Sequence, residues 1–306
     1  MRNETAGDPM TGMKWTRRTT AKIATELRTL GIDVSDRTVA RLLKQMDFSL
    51  RVNHKKLARV CKVTPAERDA QFMHIAEIRE HFAAKGLPLI SVDAKKKELV
   101  GTFKNAGATW NREPVPVNDH DFPSEAEGVA LPYGIYDLLA NQGTVFVGTS
   151  YNTPEFAVES IEKWWRYEGS KRYLGADQIG ILADSGGNNG ATCRGWKHGL
   201  NHWLCERHGL SVTVAHYPPG ASKWNPIEHR LFSEISKNWA GRPLGSYETI
   251  LKYIRTTRTK TGPRLRAHLV KRRYQKGIKI PDAVMRQLPL TTDAALPRWN
   301  YTLTPL

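Results

Sequence analysis

The sequence of 306 residues predicts an α/β fold, a mixed sheet with helices on both faces, preceded by a small helix-turn-helix domain. Three observations predict it. Strand-length apolar runs alternate with amphipathic stretches between residues 87 and 245, two short helical patterns flank a glycine near the N-terminus, and the composition is 40% hydrophobic and 25% charged. No apolar run approaches the roughly eighteen residues of a membrane span. The start "MRNETAGDPM" carries neither a secretory apolar core nor a basic amphipathic presequence. These features argue against a membrane protein and make the cytoplasm the expected location.

The helix-turn-helix region is assigned to residues 1–55, on "WTRRTTAKIATELRTLGIDVSDRTVARLLKQMDFSL". Ile23, Leu27 and Leu30 fall at helical spacing, Gly31 ends the first helix, and Ser35 or Asp36 caps a second whose apolar positions are Val39, Leu42, Leu43 and Met46. The second helix would present Arg37, Thr38, Arg41 and Lys44, side chains of the types that reach phosphates and base edges from a recognition helix in the major groove. Two amphipathic helices around a turn also occur in any small bundle, so the pattern leaves both readings open.

Residues 56–86 read as a basic connector and a helix starting near Thr64-Pro65. The main body, 87–245, begins with a strand ending at Asp93, a second near 99–103 and a third in "GTVFVGTSY". A helix from Pro154 follows, with Phe156, Ile161, Trp164 and Trp165 available for packing. Then come a strand ending at Asp184, a helix over about 192–207, the strand "SVTVAHY" and a helix over about 226–239. The proline-rich and acidic stretch between residues 103 and 143 reads as a long loop. The order β, β, β, α, β, α, β, α is that of a ribonuclease H-like domain. Residues 246–306 read as a basic C-terminal helix and tail.

The net charge of +16 is unevenly spread: residues 1–86 hold 17 basic against 10 acidic side chains, 87–250 hold 16 against 18, and 251–306 hold 13 against 2. A nearly neutral centre between basic ends suits a catalytic body gripping a polyanion, although a merely solvated basic surface is the competing reading. Cys61, Cys193 and Cys205 show no C-x-x-C spacing and so no disulfide framework. His198, His202 and Cys205 could share a helix face as zinc ligands, but no H-E-x-x-H glutamate accompanies them and such a trio is more often packing and surface.

Asp93 and Asp184 each end an apolar strand, and Glu228 lies in the first turn of the last body helix. In such a fold the first and fourth strands lie side by side, so the three carboxylates can converge where open sheets bind ligands. Unpaired carboxylates repel, and divalent cations with oxygen preference resolve that repulsion. Each residue also has a structural reading: Asp184 as a turn former in "ADSGGNNG", Asp93 paired with Lys95, Lys96 or Lys97, and Glu228 in a capping box with Asn225. Lys95, Lys96 and Lys97, with Lys223, are candidate DNA contacts, against the alternative of a solvated charge run. His216 and His229 flank the same cleft in sequence, as site contacts or as satisfied structural histidines.

At these residues the sequence resembles the ISAzo-type bacterial insertion-sequence transposases, a DDE group with a ribonuclease H-like catalytic domain. The resemblance is carried by "SVDAKKKELVGTFKNAGATW", "HDFP", "LPYGIYD", "FAVESIEKWWR", "ADSGGNNG", "PPGASKWNPIEHRLFSEISKNWAGRPLGSYE" and "WNYT", and at the N-terminal end by "WTRRTTAKIATEL" and "TVARLLKQMDFSL". It implies a catalytic and metal-binding triad of Asp93, Asp184 and Glu228, two Mg2+ or Mn2+ ions, and cleavage and strand transfer on double-stranded DNA at element ends and target. A homo-oligomer on DNA is among the partners considered, and no membrane is. Members of the family carry a further DNA-binding segment ahead of the point where this sequence starts, so a shortened N-terminus is expected, and Ser185 stands where the family has glycine. A non-catalytic DNA-binding regulator and a purely hydrolytic nuclease stand as alternatives.

Overall fold

The computed structural model describes residues 5–7, 14–16, 19–46, 48, 63–109, 111–119, 123–258, 265–294 and 296–306. The expected basic connector, the histidine-containing start of "HDFP" and Cys61 lie outside the described residues. The chain divides into two units, Met1–Ala58 and Arg59–Leu306.

In the first unit β1 (Thr5–Gly7) and β2 (Lys14–Thr16) pair antiparallel, and two helices follow, α1 (Thr20–Thr29) and α2 (Asp36–Gln45). Thr19 Oγ1 accepts from the Lys22 N–H at 3.3 Å and Ser35 Oγ from the Thr38 N–H at 3.1 Å, so each helix starts on a side-chain cap. Gly31, at φ +81°, turns the chain out of α1 in a conformation open to glycine. Ile23, Ala24 and Val39 form the buried centre, with Leu27, Val34 and Leu43 against it. Leu42 and Met46, expected inside, are 43% and 64% exposed.

The second unit begins with α3 (Pro65–Ala84), started by a capping box in which Thr64 Oγ1 accepts from the Glu67 N–H and Glu67 Oε2 from the Thr64 N–H. Next come β3 (Leu89–Ala94), β4 (Glu98–Val100), β5 (Gly128–Asp137) and β6 (Gln142–Gly148). Helix α4 (Pro154–Trp164) runs through a π-helical turn, Trp165–Gly169, into the short α5 (Ser170–Arg172). Then follow β7 (Gln178–Asp184), α6 (Arg194–Leu200) with a π-helical extension, Asn201–Glu206, and β8 (Ser211–Tyr217). A helix entering at Pro226 makes a π-helical turn over Glu228–Phe232 and continues as α7 (Ser233–Asn238), before α8 (Tyr247–Thr256). The chain closes with β9 (Leu265–Val270), α9 (Asp282–Arg286), β10 (Leu290–Thr292) and β11 (Asn300–Leu303).

The main sheet runs β10-β11-β8-β7-β3-β5-β6-β9, with β4 paired to β5 off that path. Strands β7 and β8 run parallel to β3, while β5 is antiparallel to both β3 and β6, so β6 and its parallel neighbour β9 also share the direction of β3. The order β6-β5-β3-β7-β8 puts the first and fourth body strands side by side, as the predicted mixed sheet requires.

Two expectations change. The second long strand is β5, inside the stretch read as a loop, whereas 98–100 forms only a short strand beside it. Pro132 concealed it: it lies between the part of β5 that pairs with β4 and the part that pairs with β3, where its missing N–H costs little and its carbonyl accepts from the Lys95 N–H at 2.8 Å. The C-terminal segment is no tail beyond α8, since β9 extends one edge of the sheet and β10 and β11 the other.

Alternation along the strands divides the core. Ile90, Val92, Ile179, Ile181 and Ala183 pack with α4 and α6, whereas Leu89 and Leu182 pack with α3 on the opposite face. The 226–238 helix and α8 cover β5, β6 and β9 through Ile227, Leu231, Ile235 and Ile250. By the same alternation Asp93 and Asp184 belong to the face of Leu89 and Leu182.

Candidate active site

Within the parallel pair β3 and β7, Val92 stands opposite Ala183, which brings the next residues, Asp93 and Asp184, to adjoining strand ends. The helix carrying Glu228 is fixed to these strands by a buried polar tie. Ser91 donates its hydroxyl to Asn225 Oδ1 and accepts from the Ile227 N–H at 3.1 Å, so a sheet residue serves the N-terminus of that helix. Asn225 Nδ2 donates to Asp184 Oδ1 at 3.1 Å, and both Ser91 and Asn225 are fully buried. The expected capping box is therefore not formed: the Asn225 side chain is committed to the strands, and Glu228 reaches Asp93 instead.

Burial, the facing Asp184 carboxylate and hydrogen-bonding contact with Glu228 push the Asp93 carboxyl up to about 8, against the opposing pull of its bond from the Ala94 N–H. No lysine or arginine forms an ion pair with Asp93, Asp184 or Glu228 among the described residues. Asp93 thus faces both other carboxylates, while no group of three His, Cys, Asp or Glu side chains among the described residues has ion-holding geometry. The donors of all three carboxylates are hard oxygens, the set that Mg2+ and Mn2+ prefer.

A cavity of about 420 Å3 opens beside the two aspartates, lined also by Asn152, Asn188, Pro218 and Ser222, while Glu228 is not part of its wall. The loop after Asp184 supplies much of that wall. Gly187 takes φ +75°, and Ser185 donates its hydroxyl to the Tyr217 carbonyl, tying the loop to the end of β8. Asn189, 3% exposed, keeps an Nδ2 donor without a protein partner among the described residues.

The remaining expected residues divide by environment. Lys95 bonds Glu98 Oε1 at 3.1 Å and covers the Trp239 ring at 4.7 Å, so its charge is engaged within the protein, whereas Lys96 and Lys97 are exposed. Lys223 is exposed with its Nζ over the Trp224 ring at 5.2 Å. On α2 Arg37, Arg41 and Lys44 are exposed, while half-buried Thr38 belongs to the Ser35 cap. His216 is fully buried. Its Nδ1 meets the Asp184 carbonyl at 2.9 Å and its Nε2 the Tyr301 hydroxyl at 3.4 Å, and burial pushes its pKa down to about 4. His216 thus supports the end of β7 as a neutral imidazole and does not line the cavity. Exposed His229 contacts the Lys223 carbonyl. The zinc reading fails on Cys205, a core residue whose thiol burial pushes up to about 12, and on His202, which meets Glu206 Oε2 at 3.0 Å.

Sequence reasoning missed Ser91 and gave Asn225 only a capping role. A serine on the inner face of an otherwise apolar strand, and an asparagine directly before the proline that opens the Glu228 helix, were the available signals.

A family model described as Rhodopirellula transposase DDE domain matches residues 1–305. No curated protein matches the chain. Among solved structures, a Mos1 transposase paired-end complex with the left transposon end matches at 14% identity and TM-score 0.41, covering 77% of this chain and 65% of that one. The Mos1 strand transfer complex matches at 15% identity and TM-score 0.44, covering 77% and 64%. A Mos1 mariner paired-end complex with Mn matches at 14% identity and TM-score 0.42, covering 77% and 65%. The chain thus spans just under two thirds of the length of the Mos1 chains it matches.

Proposed function

Because the chain belongs to the Rhodopirellula transposase DDE domain family, we propose that it is a DDE transposase that cleaves DNA at element ends and joins the freed 3′ end to target DNA. The observation carrying this reading is that Asp93 faces both Asp184 and Glu228 at one end of the sheet, with no cationic partner among the described residues. Asp93 and Asp184 would hold two Mg2+ or Mn2+ ions, with Glu228 completing the second site. When bound, the ions would offset the repulsion among the carboxylates and stabilise the attacking and leaving oxygens of the phosphoryl transfer. In cleavage a water oxygen bonds to phosphorus as the 3′ oxygen leaves. In joining, that 3′ hydroxyl attacks a target phosphate and displaces its bridging oxygen.

The protein's own contribution is placement. The Ser91–Asn225 tie keeps Glu228 against β3, Asn225 orients the Asp184 carboxylate, and His216 braces the backbone of Asp184. The exposed Lys96, Lys97 and Lys223 near the carboxylates, and Arg37, Arg41 and Lys44 on a helix-turn-helix, would neutralise phosphates. Assembly of more than one copy on DNA belongs to the same reading.

The test supplies a pre-cut element end and a target plasmid with Mg2+. Joined products are expected. Degraded DNA would indicate a hydrolytic nuclease, and intact but bound DNA a regulator.

A further inference from the structure

Strands β6 and β8 lie on opposite sides of the β7–β3 pair, and both run parallel to β3, so the chain leaves both at the carboxylate end of the sheet. Each exit carries an exposed aromatic ring within two residues of a cavity-lining side chain. After β6 comes Tyr151, 48% exposed, next to the cavity residue Asn152; after β8 comes Trp224, 54% exposed, two residues beyond the cavity residue Ser222. Each ring carries a lysine: Lys276 Nζ lies 4.1 Å from the centroid of Tyr151, and Lys223 Nζ lies 5.2 Å from that of Trp224.

Both rings sit on supported backbone. Trp224 meets Phe72 nearly edge-on at 6.0 Å, and Arg68 lies over Phe72 at 5.8 Å. Beside Tyr151, Ser150 Oγ donates to the Arg272 carbonyl and accepts from the Tyr274 N–H, each at 3.2 Å, while Asn188 donates to the Asn152 carbonyl at 2.6 Å. The 271–279 segment thus runs beside Ser150 and adds Lys271, Arg273 and Lys279, all exposed and without an ion pair among the described residues.

We propose that Tyr151 and Trp224 are stacking platforms that take unpaired bases of a DNA strand on either side of the carboxylate cavity, each with its lysine on the adjoining phosphate. The proposal rests on the DNA-processing reading above. Bases inside a duplex are already stacked, so an exposed ring adds little there, whereas a splayed strand offers each ring a free base face; alternating rings and cations match alternating bases and phosphates. The occupant is therefore single-stranded or locally opened DNA.

The test measures binding of a labelled oligothymidine and of a hairpin duplex by fluorescence anisotropy without divalent metal, using the full chain. Tyr151→Ala and Trp224→Ala are each expected to weaken oligothymidine binding by about fivefold or more while changing duplex binding less than twofold. Tyr151→Phe and Trp224→Phe, which keep a ring, should restore most of the loss. Unchanged oligothymidine affinity in both alanine variants overturns the proposal, as does an equal loss on duplex, which would mark a general phosphate surface. A wild-type chain that binds neither probe overturns the DNA-processing reading as well. The expected pattern in a chain that neither cleaves nor joins DNA would sustain the platforms and sink only the transposase.

Discussion

Asn225 donates its side-chain amide to Asp184 Oδ1 at 3.1 Å across 41 residues of sequence, and the same side chain accepts from Ser91, two residues before Asp93. One buried amide therefore links the two carboxylate strands to the helix that brings Glu228. Asn225→Ala leaves the Ser91 hydroxyl without its acceptor in a fully buried place, a loss of about 1–3 kcal/mol. Urea unfolding should show that loss. Cleavage should fall further than stability accounts for, and Asn225→Asp should fail to restore it, because it places another carboxylate against Asp184.

Asp93→Asn, Asp184→Asn and Glu228→Gln should each abolish Mg2+-dependent cleavage and joining while leaving DNA binding within about threefold, because each change removes a negative charge and none removes a cation. Nicking of supercoiled plasmid and a gel-shift on the same preparations measure both. Full nicking by any one variant removes that residue from the mechanism.

Half-buried Asp93 and fully buried His216 give the metal-free protein opposing pH dependences. The Asp93 carboxyl rises from 3.8 to about 8 on folding, so the stability it contributes is present below pH 4 and lost as pH climbs to 8. The His216 imidazole falls from 6.5 to about 4, so its contribution is present above 6.5 and lost as pH drops toward 4. The slopes oppose between pH 4 and 6.5, leaving Asp93 alone above that, at up to about 1.4 kcal/mol per pH unit. Thermal melts should show Tm falling between pH 6.5 and 8. Asp93→Asn should flatten that limb, and millimolar Mg2+ should oppose it by favouring the ionised carboxylates.

What was legible in the sequence was whatever local pattern decides. A polar residue closing an apolar run marked Asp93 and Asp184, and the spacing of Ile227, Leu231 and Ile235 put Glu228 at the rim of a buried face. Hidden features depended on distant partners. The surroundings of His216 come from Tyr301 and from Gln71, whose amide donates to its carbonyl, so its own neighbours could not separate a site contact from a brace. Strands β9 and β10 are edge strands, one carrying Arg266 and the other three residues long, and β11 between β10 and β8 has only four residues, so the segment read as a basic tail.

Beyond the site, Arg172 holds the far end of β5. Its guanidinium bonds Asp137 Oδ2 at 2.6 Å, and Tyr173 donates to Oδ1 of the same fully buried carboxylate at 2.7 Å. Arg172→Ala leaves Asp137 without its cation and should cost about 3–5 kcal/mol in urea unfolding. Asp137→Asn in the same background should recover part of that loss, because it removes the unpaired buried charge.

Gly134 stands directly across from Asp93 in the β3–β5 pair, and a Cβ there would come within 2.6 Å of Phe232 and 2.8 Å of Ile227, on the helix that carries Glu228. Its bare backbone lets that helix lie close enough for Glu228 to meet Asp93. Gly134→Ala must displace Phe232 and Ile227 or push the helix outward, at a cost of about 1–3 kcal/mol. If the helix moves, cleavage falls because Glu228 withdraws, and the downward limb of Tm between pH 6.5 and 8 becomes shallower as Asp93 loses a facing carboxylate. Pairing the change with Phe232→Leu, which makes room at that contact, should restore both readouts together; recovery of stability without recovery of cleavage would show that Gly134 does not set the position of Glu228.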